Sequence, residues 1–290
     1  MTTPTYTMLI EPQALAALHA ADPSLAIVDC RHDLARPDWG SEAFRESHIP
    51  GAVFAHLDRD LSGPVGPGSG RHPLPDPQRL AATFGRWGID EQTQIVAYDQ
   101  GTGAFAARLW WLARFLGHTR VAVLNGGLAA WQRAGLPVSA APASRRAAHF
   151  AAHPHTAWVV SAGELACGLD RGSLLLVDAR SADRFAGRNE TVDPVAGHIP
   201  GARNHPFAEN LDGAGRFLEP AQLEARWRGT LSGAAPQSVV SMCGSGVTAC
   251  HNLLAMALAG LSGARLYAGS WSEWICDPAR PVTPPSAAGK

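Results

Sequence analysis

Four short motifs occur twice in this chain, in the same order. Ile27-Val-Asp-Cys-Arg31 returns as Leu176-Val-Asp-Ala-Arg180, and Ser47-His-Ile-Pro-Gly-Ala52 returns as Gly197-His-Ile-Pro-Gly-Ala202. Val96-Ala-Tyr-Asp99 returns as Val240-Ser-Met-Cys243, and Leu124-Asn-Gly-Gly-Leu-Ala-Ala-Trp131 as Tyr267-Ala-Gly-Ser-Trp-Ser-Glu-Trp274. The offset stays between 143 and 150 residues, so the chain is a duplication of one unit. Within each copy, short apolar runs (25–29, 94–98 and 120–124; then 174–178, 239–242 and 264–267) alternate with helical stretches. That alternation predicts an α/β fold of two tandem domains, each a parallel sheet flanked by helices on both faces. Residues 139–156 are small, polar and proline-containing without a sustained period, which predicts a linker between domains at 1–138 and 157–290. Residues 281–290 read as a loose tail.

A length of 290 residues suits two such domains. Charge rules out several partners. Lys+Arg number 24 against Asp+Glu 25, and no basic run exceeds a pair, so neither a nucleic-acid nor a membrane-surface footprint is expected. The longest apolar helix candidate, 253–261, is too short to span a bilayer. The start, Met1-Thr-Thr-Pro-Thr-Tyr-Thr, has no charged segment followed by an apolar run, so no signal peptide is expected. Five cysteines (Cys30, Cys167, Cys243, Cys250, Cys276) are scattered and odd in number, without CxxC or His-x-His spacing. They argue against a disulfide framework and against a metal site, and they fit a reducing cytoplasm. No cofactor is expected.

The two copies differ at one decisive position. The first has Asp99 where the second has Cys243. Around Cys243 the sequence reads as a buried strand, a Gly/Ser/Thr loop, then a helix of apolar period. This arrangement aims successive backbone N–H groups and a helix dipole at one sulfur, surroundings that stabilise a thiolate. Cys243 is therefore the candidate nucleophile; the alternative is a small apolar residue closing a strand. Asp99 reads as an ordinary helix cap, followed by a loop one residue longer, which leaves the first copy without nucleophilic function.

These residues resemble the rhodanese family of sulfurtransferases in its tandem-domain form. The resemblance covers nearly the whole chain: the Val-Asp-x-Arg strand ends, both His-Ile-Pro-Gly-Ala motifs, the cysteine loop and Gly-Ser-Trp-x-x-Trp. It implies a catalytic cysteine in the second domain and turnover through a cysteine persulfide. The loop Cys243-Gly-Ser-Gly-Val-Thr-Ala is similar to that of 3-mercaptopyruvate sulfurtransferases. Thiosulfate-preferring relatives place Arg and Lys after the cysteine, where this chain has Gly244 and Ser245. A neutral loop suits a thiol donor carrying a single carboxylate. The expected reaction moves sulfur from 3-mercaptopyruvate to a thiol (thioredoxin or glutathione) or to cyanide, releasing pyruvate. Transfer from thiosulfate is the alternative.

Roles follow residue by residue. Cys243 attacks the donor sulfur, and the amides of Gly244, Gly246, Val247 and Thr248 cradle the outer sulfur. Ser245 either hydrogen-bonds the reacting groups or closes the loop, and Thr248 fixes the loop or caps the next helix. A carboxylate calls for an arginine fork. The resemblance places Arg184 there, and Arg188, out of register with the family's second arginine, is either its partner or a solvated charge. The resemblance also carries over His72 and Asp58 as first-domain groups that approach the loop serine, with the Gly/Pro-rich stretch 62–75 bringing His72 across. His48, His198, Asp29–Arg31 and Asp178–Arg180 occur in both halves and are expected to be structural. Trp271 and Trp274 line either a pocket or the core, and Cys250 is either a resolving thiol or a core residue. A phosphatase-type Cys-x5-Arg loop is excluded, because the sixth residue after Cys243 is Ala249. A non-catalytic binding module is the remaining alternative, and the intact cysteine loop argues against it.

Overall fold

The structure is a computed structural model, and it describes residues 4–285. The described residues divide into two compact units, one of residues 4–63, 75–156 and 213–217, the other of 64–74, 157–212 and 218–285. Two short segments thus lie with the unit opposite to their own repeat. The stretch 64–74 belongs to the second unit and 213–217 to the first.

The first unit contains a five-stranded sheet of β1 (Leu9–Ile10), β2 (Ala26–Asp29), β3 (Val53–Phe54), β4 (Ile95–Tyr98) and β5 (Val121–Leu124), in the order β1-β5-β4-β2-β3. Every pairing is parallel. All residues of β2, β4 and β5 are buried, as expected of strands covered by helices on either side of a parallel sheet. The second unit repeats this with β6 (Leu175–Asp178), β7 (Arg203–Asn204), β8 (Val239–Met242) and β9 (Arg265–Leu266), ordered β7-β6-β8-β9 and again parallel. A parallel bridge from Val159 to Leu266 occupies the place that β1 holds in the first unit. Among the described residues no helix is long and apolar enough to cross a membrane.

The repeated motifs have repeated structural work. Arg31 grips Asp29 through Nε at 2.9 Å and donates to the Ser47 carbonyl at 2.6 Å; Arg180 grips Asp178 at 2.9 Å and donates to the Gly197 carbonyl at 2.9 Å. His48 stacks on Phe44 and contacts its carbonyl oxygen through Nδ1; His198 does the same with Phe185. Trp131 donates to the Pro137 carbonyl and Trp274 to the Pro281 carbonyl, each from a buried indole.

Two stretches read as loose are held. Arg145 donates to the carbonyls of Leu25, Ser24, Trp87 and Gly88, and the backbone of Ala148, His153 and His155 hydrogen-bonds to Gly85, Leu116 and Phe115. Much of 139–156 is therefore pinned along the first unit rather than acting as a free tether. Thr283 forms an antiparallel bridge with His198, mirroring the His48–Ser139 bridge, so the start of the tail is part of the second unit. Residues 1–3 of the start and 286–290 of the tail lie outside the described residues.

Candidate active site

In the second unit, the chain leaves β6 for a strand on one side and reaches β8 on the other. The switch in direction falls between β6 and β8, and in open parallel sheets the crevice beyond such strand ends is where ligands bind. β8 ends at Met242, so Cys243 stands at the mouth of that crevice.

The loop after Cys243 is fixed by a second segment. Trp271 and Ser272 donate backbone N–H groups to the carbonyls of Cys243 (3.0 Å) and Gly244 (2.9 Å). The Ser270 hydroxyl accepts the Cys243 N–H at 3.0 Å. Ser270 adopts a left-handed backbone at φ 54°, an unusual conformation for a non-glycine residue. Gly246 is also left-handed, at φ 79°, and a Cβ there would collide with the Ala268 carbonyl. Bent this way, the loop brings the Gly246 N–H to 3.1 Å from Cys243 Sγ, immediately before the helix Thr248–Leu258. Cys243 as a residue is 2% exposed.

Ser245 and His72, both buried, meet at 2.7 Å between Oγ and Nδ1. The segment carrying His72 is seated on the same Gly269–Ser272 turn. Arg71 N donates to Ser272 Oγ at 3.1 Å, and a Cβ on Gly70 would come within 2.5 Å of the Gly269 carbonyl oxygen. One turn therefore holds both the cysteine loop and the histidine loop.

Cations reach the cysteine loop from outside it. A Cβ placed on Gly244 would lie 2.9 Å from Arg71 Nη2 and 3.5 Å from both terminal nitrogens of Arg184. Arg184 Nε donates to both Glu190 oxygens at 3.0 Å, and its Nη2 donates to Asp193 at 2.9 Å. Arg71 pairs with the other Asp193 oxygen. Arg180 Nη1 reaches Glu190 at 3.4 Å. Glu190 and Asp193 are almost fully buried, and buried carboxylates persist when paired in this way. Burial pushes the Arg71 guanidinium below its ordinary pKa, opposed by the charge of Cys243.

The remaining expected residues divide plainly. Arg188 is not at the loop: it forms an exposed ion pair with Asp183 at 2.8 Å, and the second guanidinium beside Gly244 is that of Arg71. Asp58 belongs to the first unit, half exposed, with its carboxylate 3.9 Å from His56 Nδ1. Val247 is buried at the N-terminal boundary of the helix, and Thr248 is its first residue. Cys250 is fully buried, its thiol turned to the Gly246 carbonyl at 3.3 Å. Trp271 and Trp274 lie in the core, with the Arg180 guanidinium 4.7 Å above the Trp271 ring. Arg71, Glu190, Asp193 and Ser270 escape a reading of sequence alone. The one signal is the spacing after Arg184, which leaves Arg188 out of register and is followed by two acids, Glu190 and Asp193.

The first unit shows what the equivalent loop does without a cysteine. Asp99 is fully buried and accepts four backbone N–H groups, from Gly101, Gly103, Phe105 and Ala106, at 2.9 to 3.3 Å. A carboxylate fills the anion cradle that the second unit keeps for its sulfur.

Residues 11–134 and 161–276 each match the rhodanese-like domain. The chain is 50% identical over 276 residues to a Pseudomonas aeruginosa protein named a probable 3-mercaptopyruvate sulfurtransferase, covering 94% of this chain and 97% of that one. It is 39% identical over 285 residues to a Mycobacterium tuberculosis protein provisionally named the thiosulfate sulfurtransferase SseB, covering 95% and 96%. The structure of 3-mercaptopyruvate sulfurtransferase from Leishmania major superposes with a TM-score of 0.82 at 34% identity, covering 92% of this chain and 74% of that one. With both halves matched and identity carried over nearly the whole length, this chain belongs to the rhodanese-like domain family, as a two-domain sulfurtransferase.

Proposed function

We propose that the chain transfers sulfur from 3-mercaptopyruvate through a persulfide on Cys243. The observation that carries this reading is one juxtaposition: a sulfur held by the Gly246 amide at 3.1 Å, with the Arg71 and Arg184 guanidiniums at the adjoining Gly244. A donor whose carboxylate meets the guanidiniums presents its thiol to Cys243. The thiolate attacks that sulfur; the sulfur–sulfur bond forms as the carbon–sulfur bond breaks, and the electron pair of the breaking bond passes to carbon as the enolate of pyruvate. The Ser245–His72 pair relays the donor's thiol proton to the enolate. Loop amides from Gly244 to Thr248 receive the charge on the outer sulfur. Once that sulfur is protonated, an acceptor thiolate attacks it and leaves as a persulfide, returning Cys243 to its thiolate. Cyanide leaves as thiocyanate. Thioredoxin, glutathione and cyanide fit the acceptor role, and five free cysteines support a reducing, cytoplasmic setting.

Thiosulfate as donor is the second reading, supported by the same two guanidiniums and by the mycobacterial relative. Side-by-side kinetics with both donors decide between them. A large kcat/KM preference for 3-mercaptopyruvate, with one added sulfur on Cys243 by mass spectrometry and no transfer by Cys243→Ser, is the expected result. Full activity in Cys243→Ser would end the mechanism.

A further inference from the structure

We propose that Asp193 sets the charge of the donor this site admits, by neutralising the two arginines that face the cysteine loop. The inference rests on the sulfur-transfer reading and deepens it. Arg71 and Arg184 both lie against Gly244, and both pair with Asp193, one on each carboxylate oxygen. The Asp193 side chain is 2% exposed, so water does little to screen these pairs. Behind them, Glu190 joins Arg184 to Arg180, and Arg180 is held by Asp178. The inner cluster therefore sets Arg71, Arg180 and Arg184 against Asp178, Glu190 and Asp193, equal in number and opposite in sign. Arg188 and Asp183 form their own exposed pair outside it.

An arginine has five N–H donors in a fixed fork, so one held on an acid can still present another edge to a ligand. Here the pairing with Asp193 spends positive charge while leaving the Arg71 and Arg184 terminal nitrogens beside Gly244. A site of this kind offers the geometry for a carboxylate without the surplus charge that a dianion needs. Two arginines at the loop mouth would by themselves favour thiosulfate; Asp193 turns the balance toward a monoanion. Asp193 is thus a positioning and specificity residue that acts through its arginines.

The test uses full-length Asp193→Asn, which keeps size and one acceptor oxygen, and Asp193→Glu, which keeps charge. The asparagine variant is expected to raise the ratio of kcat/KM for thiosulfate over 3-mercaptopyruvate by about tenfold or more, the scale of losing one partner of a buried charge pair. The change should appear mainly in KM and shrink with added salt. Asp193→Glu should restore the ratio toward the parent value. Equal losses for both donors, or an unchanged ratio, would overturn the proposal. Should Asp193→Asn fail to fold by circular dichroism, Arg71→Gln removes the opposite charge and must shift the ratio the other way; a shift in the same direction overturns the proposal. Calorimetric binding of pyruvate and of sulfate to Cys243→Ser, with and without Asp193→Asn, separates the two readings. If the parent enzyme turns over neither donor but the sulfate-to-pyruvate affinity ratio rises, the charge assignment stands and the donor reading falls; if the affinity ratio does not move, the charge assignment falls whatever the kinetics.

Discussion

A guanidinium matters to this site by what it faces, and Arg184 and Arg188 show how little sequence position says about that. They are four residues apart, yet Arg184 lies beside the cysteine loop with two buried acids behind it, while Arg188 shares an exposed pair with Asp183. Arg184→Ala is expected to lower kcat/KM for 3-mercaptopyruvate by ~2–4 kcal/mol in transition-state binding, since a desolvated ionic contact is removed. Arg188→Ala should change it by less than about 0.5 kcal/mol, as exposed pairs do. Parallel steady-state kinetics check both, and equal losses would mean that Arg188 reaches the donor after all. Cys243, Ser245, His72 and Arg184 were legible because each sits in a short motif whose chemistry is local or resembles a family. Arg71 and Asp193 were not, because they pair across 122 residues of chain, and an arginine in a Gly/Pro loop looks solvated until its partner is seen.

Elements were legible where a continuous apolar run marks a buried strand. The expected runs at 25–29, 94–98, 120–124 and 174–178 each contain a strand one residue shorter, and 239–242 coincides with β8. The two-residue strands β1, β3 and β7 are too short to form an apolar run of their own and pair along β5, β2 and β6, whereas β9, equally short, falls inside the expected run 264–267. Polar contacts between elements were equally hidden. In the second unit, His205 stacks on Trp227 and contacts Thr230 through Nδ1 (2.7 Å) and Asn210 through Nε2 (3.1 Å). Asn210 in turn receives the Trp227 indole N–H and donates to Asn252 on the helix that follows the cysteine loop. This cluster ties the helices Pro220–Leu231 and Thr248–Leu258 together. Burial lowers the His205 pKa from 6.5, and the Asn210 oxygen, a hydrogen-bond acceptor of Nε2–H, only partly offsets it. The unfolded chain therefore binds a proton that the folded one resists. The contribution is complete above about pH 6.5 and is lost progressively as pH falls below that toward the folded value. His205→Gln should flatten the fall in unfolding free energy, measured by urea titration, between about pH 7.5 and about pH 5.5, by at most about 1.4 kcal/mol per pH unit. His118, also lowered by burial, should leave some slope in the variant. An unchanged slope would show that His205 does not titrate differently on folding.

At the scale of the whole molecule, duplication has kept one architecture and divided its uses. Each unit retains the buried Asp-x-Arg pair, the stacked histidine and the tryptophan tied to a prolyl carbonyl. What differs is the occupant of the anion cradle after the central strand. In the second unit it is a sulfur; in the first, the Asp99 carboxylate takes four backbone N–H groups. Two of those donors, the N–H groups of Gly103 and Ala106, belong to buried residues and would lose their acceptor with the carboxylate, so Asp99 serves the stability of its own unit. Asp99→Asn is the discriminating change, because the new amide places two N–H donors among donors while keeping the shape. The expected result is a loss of about 1–3 kcal/mol by urea unfolding, with kcat and KM for the sulfur donor unchanged in the folded fraction. Asp99→Cys combined with Cys243→Ser is expected to give no sulfur transfer: the first loop is one residue longer, and Gly101 stands where the second has Ser245. Normal stability in Asp99→Asn would show that water or a shifted loop replaces the carboxylate. Lost turnover in a fully folded Asp99→Asn would instead make Asp99 part of the chemistry, and the division of labour between the two copies would have to be redrawn.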